Sequence, residues 1–203
     1  MSWFDGRFFG SVFVTLVVIM DPVGSIPVFL ALTGATSRRS RNRSADIAVL
    51  TALTVIVSFA LFGQQVLQFL HISLPALQVA GGLLLLLVAL ELLMGWGGQP
   101  SPEEEVNVSM VPLGTPLLAG PGAIAATIVF ARGVHTVGAV LALAAGILAV
   151  HLVLWVTLRF SEVILRVVRR SGVTLITRVF GLLLSAIAVQ LAADGIRAFV
   201  TTR

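Results

Sequence analysis

Between Phe8 and Val200 the chain alternates long apolar runs with short polar links, and most of its charge lies in the links. This pattern constrains the fold more than any other feature. One helix needs about 20 mostly apolar residues to cross the hydrocarbon of a bilayer. Six such runs are legible, at about 8–32, 45–70, 74–94, 111–131, 137–158 and 175–200. Composition excludes the alternatives. Of 203 residues, 58% are hydrophobic and 11% charged, whereas a soluble domain carries about 25% charged residues. Such a chain cannot cover its surface with polar groups, and it is too hydrophobic to be disordered. The first run leads into Asp-Pro-Val-Gly and not into a small-residue cleavage site, so a cleaved signal peptide is not expected.

All 13 basic residues are arginine, and they set the expected orientation. With six spans both termini lie on one side, together with Arg7, Arg132, Arg197 and Arg203. The opposite side holds Arg38, Arg39, Arg41, Arg43, Arg159, Arg166, Arg169, Arg170 and Arg178. Nine against four makes the second side cytoplasmic and both termini external. A net charge of +4 carried in loops points to membrane topology and not to nucleic acid. Within 159–172, arginines alternate with Val163, Ile164, Leu165, Val167 and Val168, as in a short helix lying at the interface. Trp3, Trp96 and Trp155 sit near span ends, where indoles prefer the headgroup level.

Two runs are interrupted. Asp21-Pro22-Val23-Gly24-Ser25-Ile26-Pro27 breaks the first, and Pro116 with Gly120-Pro121-Gly122 breaks the fourth. The breaks fall at matching places in two halves. A shift of 98 lays Gly24-Ser25-Ile26 on Gly122-Ala123-Ile124. A shift of 99 lays Gly82 to Leu85 on Gly181 to Leu184, and Glu91 on Gln190. Each half, 8–94 and 111–200, holds three runs around a polar loop at 95–110 containing Glu103-Glu104-Glu105. An odd number of spans inserts the second copy upside down. The expected fold is an all-α polytopic membrane protein forming a single transmembrane domain. Its six helices make two inverted three-helix repeats, with helices 1 and 4 discontinuous. Proline and glycine are common in membrane helices, which explains one kink well enough. Paired interruptions point instead to the binding site of a secondary transporter.

The chemistry of such breaks follows from the backbone. Proline removes an amide donor and clashes with the preceding turn, and lipid offers the freed groups no partner. A half-helix that starts at a break presents N–H groups to an anion. One that ends there presents carbonyls to a cation. Two such breaks near mid-membrane suit a small zwitterion approached closely by backbone at Gly24, Gly120 and Gly122. Asp21 is the acid at the first break. It either accepts an ammonium, binds Na⁺ or carries a proton, or it caps the half-helix beginning at Pro22. Ser25, Thr115 and Thr127 are ligand candidates that could equally bond their own helices. Glu91, His151 and Gln190 are coupling or gating candidates. The plain alternatives are a headgroup anchor for Glu91 and a hydrogen-bonded buried imidazole for His151. There is no cysteine and no metal-binding motif, and the three histidines lie in separate segments, so neither an enzyme nor a metal site is expected.

The segments MDPVGSIPVFLALT and TPLLAGPGAIAAT, with the ending GLLLSAIAVQLAADGI, resemble the MarC family of small integral membrane proteins over essentially the whole chain. The resemblance implies six spans within the lysine-exporter-like superfamily and transport of small neutral amino acids such as glycine and alanine, coupled to H⁺ or Na⁺. By position it points to Asp21, Pro22, Gly24, Ser25 and Pro27 with Gly120, Pro121, Gly122 and Ala123. Asparagine is expected at the position of Ser25 in many members, so ligand choice here is open. The alternatives are a cation channel or ion transporter using the same carbonyls and, with less support, drug efflux. The expected partners are a small neutral amino acid and membrane lipid in the cytoplasmic membrane, with no cofactor; a homo-oligomer is left open.

Overall fold

In a computed structural model, residues 4–33, 36–94 and 118–201 are described. All regular structure among them is helical: α1 (Gly6–Met20), α2 (Ser25–Thr33), α3 (Arg38–Phe69), α4 (Leu74–Met94), α5 (Pro121–Arg132), α6 (Val137–Arg159) and α7 (Ser161–Thr201). Short polar side chains start the helices. The Asp5 carboxylate accepts the Phe8 amide at 3.0 Å, and the Thr136 hydroxyl accepts Ala139 N at 3.2 Å. Each satisfies a donor that the first turn leaves free. Ser37 does the same for Ser40 N, so α3 begins in the arginine-rich link, seven residues before the apolar run begins at Ala45.

Four segments are long and apolar enough to cross a membrane: α3, α4, α6 and Ser171–Thr201 of α7. α1 and α2 pass the same test as a pair and meet at 49° across a short break. α5 is apolar but only 12 residues long. The beginning of the fourth apolar run, with Thr115 and Pro116, lies outside the described residues, as do Trp3, Trp96 and the loop with Glu103 to Glu105. In the arginine-rich 159–172 region the chain is helical from Ser161, then leaves helical geometry at Arg169 (φ 61°, ψ 163°). Val163 and Val167 are exposed there, 54% and 75%.

α4 and α7 form the most extensive helix pair. They run antiparallel, with Gly195 against Pro75 at one end and Gly181 against Leu92 at the other. Gly82 brings the backbones together: a Cβ there would lie 2.7 Å from the Ala188 carbonyl oxygen. α6 packs on α1 and α3, and α5 packs on α3 and α4. The main core joins Val12 and Leu16 of α1, Ala52 and Ile56 of α3, and Val150 and Leu154 of α6. Outside it, Leu50, Leu61, Leu182 and Val200 are each more than 60% exposed. Water would penalise such a surface, whereas lipid does not.

Arginines gather at one end of the bundle. Arg41 pairs with Glu162, Arg38 reaches the same carboxylate at 3.4 Å, and Arg159 lies 3.7 Å from Asp46. At the other end Asp5 N donates to Gly138 O at 3.4 Å.

Candidate functional site

The break between α1 and α2 is built around Asp21. Its backbone is left-handed (φ 36°, ψ 71°), and its N–H still closes α1 on Val17 O. Aspartate enters this region more readily than most residues, because its short side chain bonds locally. Asp21 Oδ1 accepts Gly24 N at 3.0 Å. The Asp21 carbonyl accepts Ser25 N at 3.0 Å and the Ser25 hydroxyl at 2.9 Å. One residue therefore ends one helix and caps the next. Its second carboxylate oxygen, Oδ2, is buried without a hydrogen-bond partner among the described residues. Thr177 of α7 faces this carboxyl, and its Oγ1 is buried and likewise unsatisfied. Gly24 completes the packing: a Cβ there would overlap the Asp21 carboxylate and come within 2.8 Å of Thr177 Oγ1.

The prolines of this segment differ in role. Pro22 is buried in the break itself. Pro27 is the third residue of α2 and exposed. The first four amides of a helix have no intrahelical acceptor, so Pro27 sacrifices no hydrogen bond and does not unwind the chain. The expectation that both prolines break the span is corrected to Pro22 alone.

α5 supplies the facing element. Gly120 is its N-cap and makes no side-chain capping bond, and Pro121 opens the helix. Proline suits that position because its missing N–H would be free anyway. The amides of Gly122 and Ala123 lie in this uncapped first turn. Gly122 is pressed against Leu85 of α4, whose side chain a Cβ would overlap.

A cavity of about 270 Å³ lies between the α1–α2 break and the start of α5. Asp21, Gly24 and Ser25 line it from one side, and Gly120, Pro121, Gly122 and Ala123 from the other. Glu91 joins them from α4, and Ile19, Val28, Leu85 and Leu118 add apolar wall. The cavity is off-centre. α1 has 15 residues and α2 nine. At about 1.5 Å per residue, the break lies ~22 Å from the first residue of α1 and ~13 Å from the last residue of α2. Glu91 is in the last turn of α4, which ends at Met94. By chain length the cavity thus sits nearer the arginine-bearing end of the bundle.

Other candidates are placed elsewhere. Thr127 is fully buried and donates to Ala123 O at 2.7 Å. His151 is buried in α6 and its Nδ1 donates to Ile147 O at 2.7 Å. Gln190 is exposed and donates to Asp194 Oδ1 at 2.9 Å. None of the three lines the cavity. Thr127 and His151 bond one turn back, as polar residues inside apolar helices do. Thr177 was missed: it lies 156 positions from Asp21, and only the packing of α7 against the break joins them. No set of three or more His, Asp or Glu side chains is grouped to hold a metal among the described residues.

Residues 6–200 match the model of the MarC family, described as MarC family integral membrane protein. A UPF0056 membrane protein of Methanocaldococcus jannaschii is 36% identical over 95% of this chain and 98% of its own length. One from Aquifex aeolicus is 34% identical, covering 97% of both chains. The UPF0056 membrane protein YhcE of Escherichia coli is 30% identical, covering 97% of this chain and 95% of its own. No solved structure gives a significant match.

Proposed function

We propose that this chain, which belongs to the MarC family of integral membrane proteins, is a secondary transporter of small neutral amino acids such as glycine and alanine. One observation carries the reading: a single small cavity is lined by the break between α1 and α2 and by the start of α5. The uncapped start of α5 offers the Gly122 and Ala123 amides to a carboxylate, aided by the helix dipole. Across the cavity, Asp21 Oδ2 is a buried acceptor without a partner among the described residues, suited to an ammonium group. A cavity of about 270 Å³ is below the roughly 300–1,000 Å³ of pockets for drug-sized ligands. That favours a small solute over drug efflux.

In this reading α1–α2 and the fourth run with α5 are discontinuous spans of two inverted repeats. The packing of third run on third run (α4 on α7) and second on second (α3 on α6) supports that symmetry. The arginine-bearing end faces the cytoplasm, and both termini face outward across the cytoplasmic membrane. A cavity nearer that end has its shorter path to the cytoplasm, as an inward-facing state of alternating access would. Asp21 and Glu91 are the carboxylates available to couple H⁺ or Na⁺. No cofactor and no covalent chemistry belong to this mechanism.

Purified protein in liposomes is expected to take up labelled glycine or alanine under an H⁺ or Na⁺ gradient. Asp21→Asn should weaken uptake about tenfold or more, as loss of a charge-assisted hydrogen bond worth ~1.5–3 kcal/mol does. Absence of uptake and of counterflow under both gradients would sink the proposal. The carboxylates of Asp21 and Glu91, both lining the cavity, also favour a second reading, a cation pathway. Steady ionic current without saturable amino-acid flux would select it.

A further inference from the structure

A second recess lies at the arginine-bearing end, between the start of α3 and the end of α6. It is a groove of about 710 Å³ lined by Ser37, Arg39, Ser40, Asn42, Arg43, Asp46 and Arg159. Its one acid is already engaged. Asp46 Oδ1 accepts the Trp155 indole N–H at 2.8 Å and lies 3.7 Å from Arg159, whose guanidinium stands over the Trp155 ring at 5.6 Å. Arg39 and Arg43 have no ion pair among the described residues. The neighbouring arginines differ, since Arg38 and Arg41 share Glu162. The groove therefore holds two uncompensated guanidiniums, with serine hydroxyls beside them. That chemistry fits a phosphate, which guanidinium binds in bidentate fashion.

The same two helices show what the phosphate is attached to. One and two turns deeper than Arg43 on its own face of α3 are Ile47 and Leu50, exposed by 47% and 64%. One and two turns deeper than Arg159 and Phe160 on α6 are Val156 and Leu152, exposed by 40% and 60%. A cationic groove thus opens onto an apolar, outward-facing strip, and a tryptophan stands at the level where the two meet. A soluble anion would use only the groove, whereas a lipid would use both. Basic recesses at membrane helix ends are suited to anionic headgroups. We propose that this groove is a binding site for an anionic glycerophospholipid, its phosphate held by Arg39 and Arg43 and its acyl chains lying along Ile47, Leu50, Leu152 and Val156.

The test uses the purified full chain in detergent micelles, titrated with phosphatidylglycerol, phosphatidylcholine or sn-glycerol 3-phosphate, with thermal stability as the readout. Phosphatidylglycerol is expected to raise Tm saturably, and the other two are not. The double variant Arg39→Gln, Arg43→Gln should weaken phosphatidylglycerol binding roughly twenty-five-fold, about fivefold per arginine near a charged headgroup. Arg132→Gln, Arg197→Gln removes the same charge at the other end and should leave the effect unchanged. Equal shifts from both lipids, or the same weakening in both double variants, would overturn the site. A shift reproduced in full by glycerol phosphate would make it a soluble-anion site and overturn the lipid assignment. Should the arginine variant fail to fold, Asp46→Asn serves instead. Removing the groove's acid should tighten phosphatidylglycerol binding, and unchanged or weaker binding would reject the proposal.

Discussion

At the scale of residues, the site depends on very short distances around Asp21. Gly24 has no room for a side chain, because the Asp21 carboxylate and the Thr177 hydroxyl occupy the space. Gly24→Ala must therefore displace one or the other. Overpacking of this kind costs roughly 1–3 kcal/mol, and here it also moves the carboxylate that faces the cavity. We expect the variant to have a lower Tm and little uptake. Gly10 is the control, since a Cβ there meets nothing within 4 Å. Gly10→Ala, in the interior of α1, should hold or raise Tm by removing a helix glycine, a gain of about 0.5–1 kcal/mol. Thermal scans and uptake on the two variants decide the matter. Equal behaviour would mean that the packing at Gly24 does not position Asp21.

At the scale of elements, the Glu162 carboxylate ties the start of α7 to the start of α3 through Arg41 and Arg38. The hydrogen bond from Arg41, with the charges of Arg41, Arg38 and Arg166, holds Glu162 below the usual carboxylate range. A carboxylate depressed in the folded state stabilises it fully above its ordinary pKa, about 4.3. The contribution is lost as pH falls through the lower folded value. Glu162→Gln should thus lower Tm by a constant amount from neutral pH down to about pH 5; the gap should narrow below the ordinary carboxylate pKa and close only below the depressed folded value. Thermal scans across this range check it; a gap that persists in acid would assign the effect to packing. The sequence could not show this tie, because the partners lie 121 positions apart. It showed what depends on local order. α4 starts where expected, since Ser73 caps its start. α3 extends past its apolar run because apolarity reports membrane depth, whereas the Ser37 cap decides where the helix starts.

At the scale of the whole molecule, the arginine asymmetry and the packing are consistent. Links assigned to one side by charge are neighbours at one end of the bundle, with Arg38 and Arg41 beside Glu162. The start of α6 lies beside Asp5, just before α1, at the other end. Apolar periodicity and breaker residues made the helices and the first break legible. The meeting of that break with α5, Glu91 and Thr177 was not, because contacts between helices in lipid depend on small-residue fit that leaves no pattern within one run. What packing alone does not set is which end faces the cytoplasm, and the positive-inside rule makes that testable. The chain has no cysteine, so single cysteines report without background. His135→Cys, exposed in the link before α6, should react with a membrane-impermeant maleimide in intact cells. Ser171→Cys, exposed near the arginine-rich start of the last span, should react only after permeabilisation. The opposite pattern would reverse the orientation. The cavity would then lie nearer the external face, and the same geometry would describe the external state of the transport cycle.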